Sequence, residues 1–296
     1  MSNIYHYTSA SSLIGMLTHS EFWATDITFL NDHQEHIHGF RAALDYIEET
    51  SKSVINPYAN EVKGFYSVMS KVIEPNVMGR DTYVVSFAKD RDSISHWFSY
   101  CEKNQGYCVC FDEGDFFDEG EKLELSSGYA LRFEDVTYDV SQFNSRLDKI
   151  LSRDVILATI IKNMGGEGRS SIIDEAREQN GMIRQVEQIF NEIIFSTSSF
   201  KFDGFRHEVE RRLVLSSKKG RFDNSYDYMS TGVRFRERGG VIFPYVPVRF
   251  NRKSIREIII GPSGDFEIRK AGLQKLLDKY GVGCVINSSS TPLRFT

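Results

Sequence analysis

Short runs rich in β-branched and aromatic residues stand in two groups along this chain, with long helical stretches between them. The first group holds Asn3 to Tyr7, Glu21 to Phe29, Thr82 to Phe87, the run around Cys108, and Tyr129 to Tyr138. The second holds Glu208 to Leu215, Val241 to Phe250, Arg256 to Ile260 and a last run near Gly283 to Ile286. Helical stretches from Gln142 to Asn163 and from Ile172 to Phe195 lie between, broken by Gly165-Gly166-Glu167-Gly168. Strands grouped in this way need not be parallel, so the pattern predicts a mixed α+β fold. One domain over 1–296 with a helical insertion at about 141–200 accommodates it.

Smaller helices punctuate the strands. Ser9 caps a helix whose apolar residues Leu13, Ile14 and Leu17 follow helical spacing. Asp32 with Glu35 fits a capping box ahead of Phe40, Leu44 and Ile47. Further helices are predicted from Asn60 to Ile73, stopped by Pro75, from Asp92-Ser93 through Trp97, Phe98 and Tyr100, and from Phe266 to Tyr280.

Composition narrows the function classes. With 41% hydrophobic and 26% charged residues the chain reads as a soluble protein, and its net charge of −5 excludes nucleic-acid binding by bulk charge. Any such affinity must come from a local basic patch. No apolar run approaches the ~20 residues of a membrane span, and the N-terminus lacks a signal core, so a cytoplasmic protein is expected. The cysteines Cys101, Cys108, Cys110 and Cys284 form no CxxC pair, and Tyr107-Cys108-Val109-Cys110-Phe111 reads as a buried strand with inert thiols. His33, Glu35, His36 and His38 crowd together, but no second ligand cluster accompanies them, so no metal is expected. A dinucleotide glycine fingerprint, a phosphate loop, a zincin motif and a nucleophile elbow are all missing.

Two distant segments carry the candidate chemistry. In Tyr5-His6-Tyr7-Thr8, alternation puts His6 and Thr8 on one strand face. In His207-Glu208-Val209-Glu210-Arg211-Arg212 it puts Glu208 and Glu210 on one face. A carboxylate there could stabilise positive charge developing on a sugar carbon as its leaving group departs, with His6 donating to a ribose hydroxyl. Each also has a plainer reading: a glutamate pairing with Arg211 or Arg212, and a half-buried histidine bonded to backbone. Tyr83, Ser86 and Phe87, followed by helical Trp97, could wall a flat aromatic pocket or fill the core. The segment from Lys218 to Gly240 interleaves Lys218, Lys219, Arg221, Arg234, Arg236 and Arg238 with Phe222, Tyr226, Tyr228 and Phe235. That mixture suits single-stranded nucleic acid, through phosphate contacts and base stacking, or an exposed hairpin.

Taken in order, Tyr5-His6-Tyr7-Thr8, Leu30-Asn31-Asp32 with Glu35, Val85-Ser86-Phe87, Trp97, Gly106 and Phe111-Asp112 resemble a bacterial family described as domain of unknown function 2971. Phe205 through Glu208, Glu210, Arg212, Ile258-Ile259-Ile260-Gly261, Ser290, Pro292 and Arg294 extend the resemblance over nearly the whole chain. That layout in turn resembles ADP-ribosyltransferases of the toxin and phage-defence kind. The resemblance implies a split β-sandwich with helical insertions and NAD⁺ as substrate. It implies that His6, Tyr7 and Thr8 hold the nicotinamide ribose and carboxamide, that Tyr83, Ser86 and Phe87 wall the nicotinamide, and that Glu210 is catalytic with Glu208 assisting. Tyr7 stands where that layout often has a small residue. The acceptor is expected to be nucleic acid, RNA favoured, or protein, read by Lys218, Lys219, Arg221, Arg234 and Arg236; a neutralising antitoxin protein is a possible partner. The rival expectations are a metal-independent RNA nuclease using His6, His207 and Glu210, and a non-catalytic binding module of a defence complex.

Overall fold

A computed structural model describes residues 2–30, 35–52, 82–101, 105–151, 188–189, 191–218 and 232–291. The predicted helix from Asn60 to Ile73, the glycine break at Gly165 to Gly168, and the residues His33, Lys219 and Arg221 lie outside these. The fold is mixed α+β, built on one large, mostly antiparallel sheet.

The chain parts into two compact units. The first takes Met1–Thr25, Tyr83–Val136 and Gly204–Thr296; the second takes Asp26–Thr82 and Thr137–Asp203. The stretch expected as an insertion therefore belongs to a unit that also draws on the segment after the second strand.

In chain order the strands are β1 (Asn3–Thr8), β2 (Glu21–Asp26), β3 (Thr82–Ala88), β4 (Tyr107–Asp112), β5 (Tyr129–Asp135), β6 (Glu210–Ser217), β7 (Arg234–Arg238), β8 (Val241–Arg249), β9 (Ile255–Ile260) and β10 (Val285–Ser288). The helices used below are α1 (Ala10–His19), α2 (Glu35–Lys52), α3 (Ile94–Tyr100), α4 (Glu119–Gly128), α5 (Val140–Ile150) and α6 (Phe266–Tyr280). The sheet runs β10-β9-β4-β1-β3-β2-β8-β7, and β6 joins it by pairing with both β3 and β5. Strand β3 thus has β1, β2 and β6 as hydrogen-bonded neighbours, and the sheet branches there. Strand β1 lies in full register on β4, from Asn3 opposite Asp112 to Thr8 opposite Tyr107, and meets β3 at Tyr5 opposite Ala88.

Alternation sorts the first unit into two apolar layers. One face sends Ile4, Phe22, Tyr83, Val85, Phe87, Phe111, Leu213, Leu215 and Val248 into the main core, against Leu13 and Leu17 of α1 and Leu273 and Leu277 of α6. The other face carries Tyr5, Tyr7, Ala88, Cys108 and Cys110, covered by Trp97 of α3 and Cys101. Cys108 and Cys110 are buried and all four thiols are free; burial holds Cys110 up to about 11. In the second unit α2 and α5 pack through Ala43, Phe143 and Leu147 onto Phe200, and His38 stacks on Phe200 and Phe202. Among the described residues, no helix is long and apolar enough to cross a membrane.

Local signals explain the boundaries. Asp265 caps α6 by accepting from the Ile268 N–H, and Gly281 closes it in the left-handed region at φ 65°. Gly106 starts β4 where a Cβ would run into the Cys101 side chain and the Thr8 carbonyl oxygen. Gly106→Ala is therefore expected to lower the unfolding free energy by about 1–3 kcal/mol in urea melts, because the Thr8 carbonyl cannot retreat without moving β1.

Candidate functional site

Strand β6 begins at Glu210, and the residues before it form a 3-10 turn, Asp203–Glu208. Val209 joins the two with φ 41°, a left-handed conformation that costs a β-branched residue energy. The strand continuity assumed for Glu208 to Leu215 therefore fails at Val209, and alternation does not relate Glu208 to Glu210. The Val209 carbonyl accepts from the Lys89 N–H at 3.0 Å, which fixes this kink to the end of β3.

Glu210 is buried and forks onto Arg212, with Nε 2.7 Å from Oε1 and Nη2 3.1 Å from Oε2. Arg212 is only 2% exposed. The plainer reading of Glu210 as an arginine partner describes this contact. Arg211 points to the other face, where it donates to Glu113 and, at 2.8 Å, to Asp135. Glu208 is half-buried and accepts from the Tyr100 hydroxyl at 3.1 Å.

The negative charges of Glu208 and Glu210 reach His96, whose ring stacks on Tyr7 at 4.8 Å and lies 5.7 Å from Tyr100. His96 is 5% exposed, and its Nδ1 has no hydrogen-bond partner. Burial depresses its proton affinity, the two glutamates and Asp90 oppose that, and His207 adds to it. His96 is therefore a neutral imidazole with an unsatisfied nitrogen beside two carboxylates. Tyr7 is fixed in turn: its hydroxyl donates to the Asp90 carbonyl at 2.9 Å and accepts from the Ser93 N–H at 2.8 Å. The exposed Ser86 hydroxyl shares the strand face of Ala88.

His6 stands elsewhere. Its ring meets Phe22 at 5.0 Å and Phe87 at 5.9 Å, and its Nδ1 lies 3.2 Å from the Ser86 carbonyl oxygen. It shares a face with Ile4 and the main core, whereas Glu210 and Arg212 leave β6 opposite Leu213 and Leu215 of that core. The expected grip of His6 and Glu210 on one ligand is not formed; Tyr7, one residue on, is the part of the N-terminal segment that reaches the glutamates' side. Burial pushes His6 down to about 4, and the Ser86 contact only partly opposes this. Thr8 is buried, and Tyr83 and Phe87 are core residues at 1% and 2% exposure. Trp97 is core as well, and its Nε1 donates to Asp92 at 2.7 Å.

Among the expected acceptor residues, Lys218 donates to the Ser126 carbonyl, Arg234 stands 3.8 Å from Glu21, and Arg236 lies over Trp23. His207, named in the nuclease alternative, is exposed, with Nδ1 3.1 Å from the Gly204 carbonyl oxygen. Among the described residues, no group of three or more His, Cys, Asp or Glu side chains gathers as a metal site would. Sequence reasoning missed His96 and Tyr100 as site residues; their four-residue spacing puts both on one side of α3, which was the available signal.

No protein-family model, curated protein or solved structure matches this chain.

Two outcomes follow from this geometry. Arg212→Met takes the forked guanidinium from a buried carboxylate and is expected to cost about 3–5 kcal/mol in denaturant melts. His6 is neutral in the fold and binds a proton near pH 6.5 when unfolded, so stability is full above that pH and falls as pH drops towards 4. The loss is expected to reach up to about 3 kcal/mol and to vanish in His6→Phe, as read by melts at stepped pH.

Proposed function

We propose that this chain is an ADP-ribosyltransferase that takes ADP-ribose from NAD⁺ and passes it to a nucleic-acid acceptor, RNA before DNA, or to a protein. The observation that carries the reading is the pair of carboxylates on the strained Val209 kink, beside a buried neutral His96 whose Nδ1 has no partner. A buried polar atom without a partner costs free energy unless something binds it. The branching of the sheet at β3 supports a split β-sandwich of the ADP-ribosyltransferase type.

In this reading Glu208 is the accessible carboxylate and stabilises the ribose cation as the C1′–nitrogen bond breaks and nicotinamide departs with the bonding electrons. The acceptor then attacks C1′, and its proton passes to Glu208 or to water. Glu210, locked by Arg212, is a positioning residue that holds the kink. This reverses the order in which the two glutamates stood on sequence alone. His96 Nδ1 and the Ser86 hydroxyl offer hydrogen bonds to the ribose, and the Tyr100 ring, 43% exposed, offers a stacking surface. His6, Thr8, Tyr83 and Phe87 support the strands without touching NAD⁺. Free thiols fit a reducing, cytoplasmic setting, in which a toxin or phage-defence effector would act and a neutralising protein partner would restrain it.

A second reading has one observation in its favour: His207 is close enough to depress the proton affinity of His96, as in an acid–base pair of a metal-independent nuclease. Incubation with labelled NAD⁺ and total RNA separates the two. Nicotinamide release that falls about 100- to 1000-fold in Glu208→Gln, with circular dichroism unchanged, supports transfer. RNA cleavage without NAD⁺ that is lost in His207→Ala supports the nuclease. Cellular activity that survives Glu208→Gln supports a binding module.

A further inference from the structure

Strands β2, β8 and β7 lie antiparallel side by side, with Trp23 opposite Pro247, Thr25 opposite Tyr245, Arg234 opposite Tyr245 and Arg236 opposite Phe243. Phe22, Ala24, Val246 and Val248 take the inner face into the main core. The opposite face therefore gathers Trp23, Thr25, Phe243 and Tyr245 with the alternate arginines of β7. Gly239 and Gly240, at φ 62° and 82°, make the tight turn that holds β7 in this register.

The chemistry of this face is specific. Trp23 is 43% exposed, and its ring lies 4.8 Å from Tyr245. The Arg236 guanidinium sits 5.4 Å from the Trp23 ring and 5.9 Å from the Phe243 ring. Its Nη2 donates to the Thr25 hydroxyl at 2.8 Å, and its buried Nε has no acceptor. Burial, with Arg238 nearby, makes the Arg236 cation harder to keep. Among the described residues, no carboxylate pairs with Arg236 or Arg238, while Glu21 stands 3.8 Å from Arg234 and 3.7 Å from Arg249. The chain carries a net charge of −5, so this concentration of arginine is a local arrangement.

A cation desolvated between aromatic rings without a counter-ion is unfavourable for folding alone. An anion delivered beside a flat ring would satisfy both features. Phosphates alternating with bases supply that pairing, and an aromatic ring stacks on a base only when the strand is single. We propose that the outer face of β2, β8 and β7 binds single-stranded nucleic acid, with a base stacked on Trp23 and phosphates held by Arg236, Arg238 and Arg234. Binding here needs no NAD⁺, so its failure and the failure of the transferase reading are separable.

The test is fluorescence anisotropy of the full chain with a fluorescein-labelled oligouridine of about ten nucleotides, over a range of salt. Wild type is expected to bind, and to bind a duplex of equal length more weakly. Trp23→Ala is expected to weaken binding at least about fivefold with the salt dependence unchanged, because it removes stacking and no charge. Arg236→Gln is expected to flatten the salt slope by about 0.7, the signature of one lost phosphate contact on a single strand. Arg238→Gln, at an exposed position, serves the same reading if Arg236→Gln does not fold. Phe235→Ser, on the reverse side of β7, is expected to bind as wild type does. Absence of binding by wild type, unchanged binding by Trp23→Ala and the arginine variants, or an equal loss in Phe235→Ser overturns the proposal.

Discussion

A carboxylate and a guanidinium taken out of water together set the start of β6. Glu210 and Arg212 are two residues apart on one strand face, and their fork of hydrogen bonds replaces the water both have lost. Neither tolerates burial alone. The pair therefore pins the point where the 3-10 turn becomes a strand, and with it the left-handed Val209 and the position of Glu208. A hydrogen bond from Lys89 to the Val209 carbonyl carries the same constraint into β3, the strand at which the sheet branches. The kink, the two carboxylates and the meeting of three strands with β3 are one structural event.

The two faces of the sheet then divide the labour. On one, phenylalanine rings close around His6; Phe22, Phe87, Phe111 and Phe116 lie edge to face or stacked within about 6 Å of one another. A half-buried histidine held against them is driven neutral. On the other, Tyr7, His96, Tyr100 and Glu208 form a chain of stacked and hydrogen-bonded groups that ends at a half-buried carboxylate. One residue of register on β1 separates a half-buried imidazole packed against the main core from a tyrosine on the side of the glutamates.

Much of the fold was legible in the sequence because local signals agreed with one another. Helix α6 runs from Phe266 to Tyr280 as read, since an aspartate cap, apolar spacing and a closing glycine all point to the same ends. Helix α4 carries no such signal, since its acidic sequence buries no residue and shows no apolar stripe. The candidate site was half legible. Sequence points to Glu208, Glu210 and the Tyr5 to Thr8 segment, and the structure sets Tyr7 on the side of the glutamates; but alternation does not run through Val209, where the backbone breaks it. The choice between His6 and Tyr7 depended on which face the main core would claim, and that is decided by tertiary packing. His96 carried only its spacing from Tyr100, a signal too general to mark a site.

The proposed transferase site puts NAD⁺ on the face of Tyr7, His96 and Glu208 and not on the face of His6. Histidine imidazole resonances, followed by NMR as NAD⁺ is added to protein with its seven histidines isotopically labelled, test it most directly. His96, assigned through His96→Gln, is expected to shift and its Nδ1 signal to take on the signature of a hydrogen bond, while His6 stays where it is. A shift at His6 with His96 unmoved, or no shift at either, would contradict it.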